Sequence, residues 1–290
     1  MKKHLSTIIL LIVLLVGISV LLYPTVSNYV NDKHQSRAIA RYDEALKQIS
    51  GRDLESVFNE AEIYNAGLRA QPLAFFQPEK VPGYQNALNT GGSGIMGYIT
   101  IDKINVELPI YHGTDADILQ IAVGHMEGTS LPIGGKGNHC VLSAHCGLPG
   151  AKLFTQLDRL EPGDTFVITV LNRKLTYEVD DVRVVLPEQT DALRCVAGKD
   201  YCTLMTCTPY GINSHRLLVR GVRTDNAPTL KRIYISNEAY QIDKKIVTPL
   251  MCVPFVGILL LYLTVDDIVK TRKKKKLRRL KEFEDKENNI

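Results

Sequence analysis

Two uncharged apolar runs, one near each end, restrict this chain more than any other feature. The first, LSTIILLIVLLVGISVLLY, takes residues 5–23, nineteen positions without a charge behind Lys2 and Lys3. A hydrocarbon core of about 30 Å needs about 20 residues at about 1.5 Å each, so this run is long enough to span. A cleaved signal peptide carries a shorter apolar region, about 7–15 residues, and a small-residue cleavage site. Tyr23-Pro24-Thr25 is a poor site of that kind, which favours an uncleaved anchor. The second run, IVTPLMCVPFVGILLLYLTV, takes residues 246–265, twenty positions without a charge, and is followed by KTRKKKKLRR. Pro249 and Pro254 would kink a helix there, which membranes tolerate better than water does. Both runs are therefore expected to be transmembrane helices, with a buried core helix as the weaker alternative for the second.

Lys and Arg gather on the cytoplasmic side of membrane spans. Here they precede the first run and follow the second, which places both termini in the cytoplasm and residues 24–245 outside. The net charge of +4 comes from the tail: residues 270–281 hold nine Lys or Arg and no acid, so the remainder is acidic on balance. Beside a span, such a run serves topology and attraction to anionic lipid. The cell membrane is thus an expected partner and nucleic acid is not. Extracellular placement favours disulfides where an oxidising partner exists. The outer segment holds five cysteines, Cys140, Cys146, Cys195, Cys202 and Cys207, with Cys252 in the second run. Five is odd, so at least one thiol is left over; the alternative is that all five stay reduced and pack as small hydrophobes.

Outside the membrane, the chain reads first as helix. HQSRAIARYDEALKQIS places Ala38, Tyr42, Ala45, Leu46 and Ile49 at helical spacing, and DLESVFNEAEIYNAGLRA repeats the pattern with Leu54, Val57, Phe58, Ala61 and Leu68. Gly51 separates the two, Asp53 and Ser56 offer N-capping chemistry, and both helices are expected to lie outside the main core. Residues 71–94, QPLAFFQPEKVPGYQNALNTGGSG, are a loop rich in proline and glycine, and a connection of that length is usually functional or disordered. After Gly94 the period changes to two. GYITIDKINVELPIYHG, HCVLSAH, DTFVITVLNRKLTYEVDDVRVVLP, DYCTLMTC and HRLLVRGVR are β-rich runs, NRK marks a hairpin turn, and GLPGAKLFTQLDRLEPGD is expected as the one helical interruption. So many short strands argue a closed β-barrel or a sandwich.

Chemistry has few candidates on that framework. Alternation in CTLMTC sends Cys202, Leu204 and Thr206 to one face and Thr203, Met205 and Cys207 to the other. Cys207 then stands at a strand end, before Thr208-Pro209-Tyr210-Gly211. A nucleophilic thiol needs its thiolate, hence a base nearby. Among the exterior histidines His145 stands out, because Gly147-Leu148-Pro149 ends its strand and leaves the imidazole at a rim. Arg216 opens the last strand across the turn from Cys207, where a fixed cation can steady an oxyanion. Each also has an ordinary reading: a buried cysteine, a surface histidine, a salt-bridged arginine. HCVLSAHC contains two His-Cys pairs, but its spacing matches no close Cys-x-x-Cys pair and alternation sends His and Cys of each pair to opposite faces. No metal site and no cofactor are expected.

TLMTCTPYGINSHRLLVRG, residues 203–221, resembles the signature of the sortases, and GHMEGTSLPIGGKGNHCVLSAHCGLPGAKLFTQLDRL resembles the segment around the sortase histidine. With two spans and an N-terminal helical extension, the likeness is to class C, the pilus-building sortases of Gram-positive bacteria. That resemblance implies a mainly β fold, a closed eight-stranded barrel, with the helical extension and two flanking transmembrane helices. The expected layout is a cytoplasmic stub and anchor over 1–24, a helical extension over 25–70, a loop in lid position over 71–94 and a catalytic barrel over 95–225. A linker over 226–245, a second span over 246–265 and a basic cytoplasmic tail over 266–290 complete it. It implies Cys207 as nucleophile, His145 as catalytic histidine and Arg216 as the arginine that stabilises the intermediate. Thr206, Ser143 and His125 are expected near the substrate. The implied reaction cleaves a Leu-Pro-x-Thr-Gly-like sorting signal between Thr and Gly through a thioester and transfers the acyl group to a pilin lysine. Pilins bearing such a signal and an acceptor lysine are the implied partners. Attachment to a cell-wall precursor and a non-catalytic assembly scaffold are the alternatives.

Two departures from the family pattern stand out. Many class C members plug the cleft with an Asp-Pro-aromatic lid, whereas this loop reads QPLAFFQPEK. Phe75, Phe76, Gln77 and Pro78 are the lid-loop candidates, and the expectation is a loop that does not lock the site or that uses Phe75 or Phe76 in another way. The second departure is Cys146, where the family commonly has arginine. It is expected as inert packing, as a second oxidisable thiol, or as half of a disulfide with Cys140, which a straight strand would hold about 20 Å away.

Overall fold

The computed structural model describes residues 2–71, 73–225, 257, 264–265 and 268–276, with side chains from residue 12 onward. The linker over 226–245 and, save Gly257, Thr264 and Val265, the second apolar run lie outside the described residues. Two compact units are distinguished, Met1–Thr25 with Tyr234–Ile290, and Val26–Ile233. The barrel and the candidate site belong wholly to the second.

The first apolar run and the start of the helical extension are one helix, α1, Lys2–Gln48, which runs through Pro24. Its segment Ile12–Gln48 includes a window of mean hydropathy 1.7, none of it buried, so by length and composition it is a candidate membrane span. Farther along, Ile39 and Tyr42 are buried. The Tyr42 hydroxyl donates to Met96 O at 2.9 Å and accepts from Leu171 N at 2.8 Å, which ties this end of α1 to the barrel.

Helix α2, Gly51–Ala70, starts on Ser50, not on Asp53 or Ser56 as expected. Ser50 has an extended backbone, the conformation that an N-cap requires. Its Oγ accepts from Asp53 N at 3.3 Å and donates to the Asp53 carboxylate at 2.7 Å. Nor does α2 lie outside the core. Phe58, Ala61, Tyr64 and Leu68, one stripe at helical spacing, join the main hydrophobic cluster of the barrel. Periodicity marks the stripe but cannot reveal the cluster that it joins.

Eight strands form the barrel: β1 Ile95–Ile101, β2 Val106–His112, β3 Val123–His125, β4 Asn138–Ser143, β5 Thr165–Val170, β6 Arg173–Val185, β7 Asp200–Thr208 and β8 His215–Arg223. They close in the order β1-β2-β3-β4-β7-β8-β6-β5, with β5 back against β1. The β2–β3 and β4–β7 pairs are parallel and the others antiparallel. Ile99, Ile101, Ile110, Leu142, Phe166, Ile168, Tyr177, Leu204 and Val219 fill the interior with no more than 1% exposure. Closure leaves no free ladder over the paired length, which is how a small all-β domain avoids exposed edges.

The β5–β6 hairpin turns on Leu171 and Asn172, one residue earlier than NRK suggests, with Leu171 at φ +51°. The expected helix after Gly147 reduces to a single 3-10 turn, Leu157–Arg159. Pro149 and Pro162 confine any helix to a short interval, and Leu153 takes a positive φ within it. A one-turn helix, α3 Ala116–Leu119, and the three-residue β3 are too short for a periodic signal.

Candidate active site

Strands β4, β7 and β8 lie side by side, and their outward side chains form one surface. On β7, Cys202 and Leu204 face the barrel interior, in line with the expected alternation, while Met205 joins a second, outer cluster around Val141, Leu193 and Leu218. Cys207 falls on that outer face. It is half-buried, and its partner across the β7–β8 ladder is Arg216. The antiparallel register thus sets the thiol and the guanidinium on neighbouring strands although nine positions separate them in sequence. Pro209 lacks an N–H and ends β7 directly after this pair.

Among the described residues no carboxylate pairs with Arg216; Nη1 donates instead to Asn213 O at 3.2 Å and His215 O at 3.1 Å. The guanidinium is thereby braced by the backbone of its own turn, with no carboxylate among the described residues to offset its charge.

His145 reaches the same place from β4. The parallel β4–β7 register pairs Ser143 with Met205, and carried two residues on it sets His145 level with Cys207. Three bonds fix this backbone. Ala144 N donates to Met205 O at 3.2 Å, Thr206 Oγ1 donates to Ala144 O at 2.8 Å, and Phe154 N donates to His145 O at 3.2 Å. The ring itself is half-buried and makes no hydrogen bond among the described residues. Gly147 then takes φ +80°, and a Cβ there would meet the Tyr210 ring at 2.7 Å, so the segment after His145 and the β7–β8 turn press together. Thiol, imidazole and guanidinium are brought to one end of the outer face.

Of the three residues expected near the substrate, Thr206 and His125 face inward, while Ser143, on β4, is level with Met205, two positions before His145. Thr206 is 3% exposed and its hydroxyl is spent on Ala144 O, so it holds the His145 segment. His125 is fully buried, with Nδ1 against Tyr84 Oη at 2.9 Å and Nε2 against Ser130 O at 2.8 Å, which leaves no ring nitrogen for a substrate. Ser143 is buried within β4, against Gly124 of β3.

Within the 71–94 loop, Ala74, Val81, Tyr84, Ala87 and Leu88 join the main hydrophobic cluster, and Phe75 reaches the outer face. Phe75 packs on the Val141–Leu193–Leu218 cluster together with Met205, two residues before Cys207. Gly128 makes room for it: with φ +85°, a Cβ there would meet Phe75 O at 2.9 Å and Ala74 O at 3.0 Å. Phe76 is exposed, stands edge-on to Phe75 at 5.1 Å and lies under the Arg194 guanidinium at 5.2 Å. Gln77 is exposed and Pro78 opens a 3-10 turn, Pro78–Lys80. A cavity of about 250 Å³ remains between Arg69, Phe75, Ser130, His139, Arg194 and Cys195.

His139, on the wall of that cavity, is held through both ring nitrogens. Nδ1 faces Arg194 O at 2.9 Å and Nε2 faces Thr203 Oγ1 at 2.7 Å. Burial lowers its pKa, with the Arg220 charge acting the same way against the Arg194 bond. Its neighbour Cys140 points into the barrel, opposite Cys202. Cys140 is therefore not placed to bond Cys146, which sits outside the barrel with its thiol toward Thr155 O. Burial raises the Cys146 pKa, with smaller contributions from Asp158 and Cys207, so Cys146 lies within electrostatic reach of the candidate nucleophile. Among the described residues no group of three or more His, Cys, Asp or Glu is gathered to hold a metal ion.

Sequence reasoning missed the apolar floor of this face. Val141, Met205 and Leu218 stand on strands whose opposite faces are also apolar, a pattern that signals a strand covered on both sides.

A family model of the sortase domain matches residues 99–224. Among solved structures, sortase C1 from Streptococcus agalactiae is 43% identical with a TM-score of 0.60, covering 66% of this chain and 99% of that one. Clostridium perfringens sortase C, solved with the C-terminal cell wall sorting motif, is 42% identical with a TM-score of 0.58 over the same shares. Sortase D of Bacillus subtilis (strain 168) is 29% identical over 170 residues, 54% of this chain and 82% of that protein.

Proposed function

This chain belongs to the sortase family of cysteine transpeptidases, and from that premise we propose that it polymerises pilins, with Cys207, His145 and Arg216 as its catalytic groups. The observation that carries the reading is that the β4–β7 and β7–β8 registers bring Cys207, His145 and Arg216 to one end of the outer face.

The chemistry follows from what each group can do. Cys207 attacks the carbonyl carbon of the threonine in a Leu-Pro-x-Thr-Gly-like signal, and the acyl group passes to sulfur as a thioester. His145 gives a proton to the departing glycine amine and later takes one from the attacking lysine amine. The Arg216 charge lies where the carbonyl oxygen gains negative charge in both halves, and a fixed cation needs no reorganisation to stabilise it. An acyl bond is held and passed on, so no external energy source is required. The apolar floor of Val141, Met205 and Leu218 suits the leucine and proline of such a signal, and Phe75 covers it in the resting protein.

Support for class and substrate comes from the neighbours. The Clostridium perfringens enzyme was solved with a cell wall sorting motif, and the Streptococcus pneumoniae sortase C structure, 42% identical, concerns pilin substrate specificity. We place the barrel outside the cell, held at the membrane by α1 and by the run at 246–265 with both termini cytoplasmic. Anchoring raises the effective concentration of the site for substrates retained in the same membrane.

The test incubates the purified full-length chain with a pilin that carries its sorting signal and reads a denaturing gel and intact masses. A ladder of covalent oligomers from wild type, absent with Cys207→Ala, is expected. An unchanged ladder from Cys207→Ala would overturn the assignment of the nucleophile. A Cys207 adduct without a ladder would leave the thioester step intact and remove the pilin lysine as acceptor.

A further inference from the structure

We propose that Cys140 and Cys202 form a disulfide inside the barrel, stapling β4 to β7. The two residues are direct partners in the parallel β4–β7 ladder. Paired strands run about 4.7–4.9 Å apart, within the 4.4–6.8 Å that a disulfide accepts between its Cα atoms. Both side chains point into the same interior, at 3% and 0% exposure, and belong to one hydrophobic cluster. All five described cysteines are free thiols in this structure, and none of the other three described ones shares that space: Cys146 and Cys207 are half-buried outside the barrel and Cys195 is exposed. The pair is thus isolated from wrong partners once the barrel has closed.

The local chemistry separates the two thiols. Burial works against a thiolate at Cys140, but Cys202 and His125 interact with it and bring its pKa down, whereas burial and Cys140 together push Cys202 far up. His125 is itself held by Tyr84 and Ser130. During assembly one of the two thiolates, for instance that of Cys140, attacks one sulfur of a small-molecule disulfide and expels one thiolate, giving a mixed disulfide. The Cys202 thiolate then attacks the Cys140 sulfur and expels the second thiolate. Two protein thiols are oxidised, one external disulfide is reduced to two thiols, and the two protons leave with them. An oxidant cannot reach a residue buried this deeply, so the bond forms while the barrel assembles. It rests on the extracellular placement proposed above, because cytosolic thiols stay reduced.

The staple matters for position. Beyond Cys140 the β4 strand leads to His145, and beyond Cys202 the β7 strand leads to Cys207. A bond between the two strands holds the register that sets imidazole against thiol. It also closes the long loop from β4 through β5 and β6 to β7, and closing a loop of that size in the unfolded chain stabilises the fold.

The experiment refolds the full-length chain in detergent with oxidised and reduced glutathione, then denatures it in excess maleimide before any reduction. Intact mass is expected to show four of the six cysteines labelled. A non-reducing peptide map is expected to link the Cys140 and Cys202 peptides. Reductant added to the native protein should leave the link intact, and reductant with denaturant should break it. The oxidised protein should melt about 5–15 °C above the reduced one, a gap that Cys140→Val removes. Six labelled cysteines in folded, oxidised protein would overturn the proposal, as would a map that joins Cys202 to Cys195, Cys146 or Cys207. The map on wild type decides the matter even where Cys140→Val does not fold, and it reads bonds, not turnover, so failure of the transpeptidase reading is seen separately.

Discussion

Thr206 Oγ1 donates a hydrogen bond of 2.8 Å to the Ala144 carbonyl, so the residue before the candidate nucleophile holds the residue before the candidate base. The bond crosses from β7 to the end of β4 and is buried, with Thr206 3% exposed. Through it, the spacing of thiol and imidazole depends on a side chain that touches neither.

Thr206→Val keeps the shape and removes the donor. The Ala144 carbonyl then lacks a partner in a buried setting, at a cost of about 1–3 kcal/mol. We expect denaturant unfolding to show that loss and kcat to fall more than KM rises, because the defect is in the placement of His145. Thr206→Ser, which retains the hydroxyl, should restore most of both. Equal loss in the Ser and Val variants would mean that the methyl group matters and the bond does not.

Arg216→Lys retains a positive charge but loses the planar fork that is braced on Asn213 O and His215 O. A flexible ammonium is a poor substitute where a guanidinium is held by geometry. A fall in kcat/KM of about 10²–10³ is expected, the scale measured for loss of one oxyanion donor, with little change in melting temperature. Steady-state kinetics at saturating acceptor would check it, and near-wild-type turnover would show that charge alone suffices.

Phe75→Ala should open the outer face. A half-buried phenyl ring contributes about 1–1.5 kcal/mol to holding the loop down, so its removal raises the uncovered population about tenfold. Modification of Cys207 by a bulky thiol reagent should quicken by that factor, while Phe76→Ala, whose ring is 56% exposed, should change it little. Similar rates for wild type and Phe75→Ala would show that the loop does not limit access.

His139 supplies a pH dependence. Its folded pKa lies below the unfolded value of 6.5, so below about pH 6.5 the unfolded chain takes up a proton that the fold resists. Stability from this group is present above that value and declines as pH falls toward the folded pKa. Melting temperature should therefore drop between about pH 7 and pH 5.5 in wild type. His139→Gln, which can still donate to Arg194 O and accept from Thr203, should flatten the profile. Identical profiles would assign the acid sensitivity to other groups.

Some of the architecture was legible from local order because its causes are local. Period-two runs from Gly94 onward mark the strands, apolar length marks the N-terminal helix, and the strand-ending Thr-Pro after Cys207 predicts a thiol at the end of β7. The residues of the candidate triad were legible for the same reason, since each stands where a turn residue interrupts a strand. Less came through where contacts link distant segments. Ser50 displaced Asp53 and Ser56 as the cap because backbone geometry selects the first extended residue, and α2 entered the core because its stripe packs with residues of distant strands.

By itself the sequence determined which faces are apolar, where the chain must turn, and that one cysteine, one histidine and one arginine lie at strand ends. Only the tertiary structure decided that these ends are the same end. It also decided that Thr206 points inward to Ala144, that His125 is consumed by Tyr84 and Ser130, that Phe75 covers the outer face and that Cys140 meets Cys202. The physical reason is register. Alternation states the face on which a side chain lies, but its partner is set by how two strands slide against each other, and that is settled jointly by every hydrogen bond and packed side chain around the closed barrel.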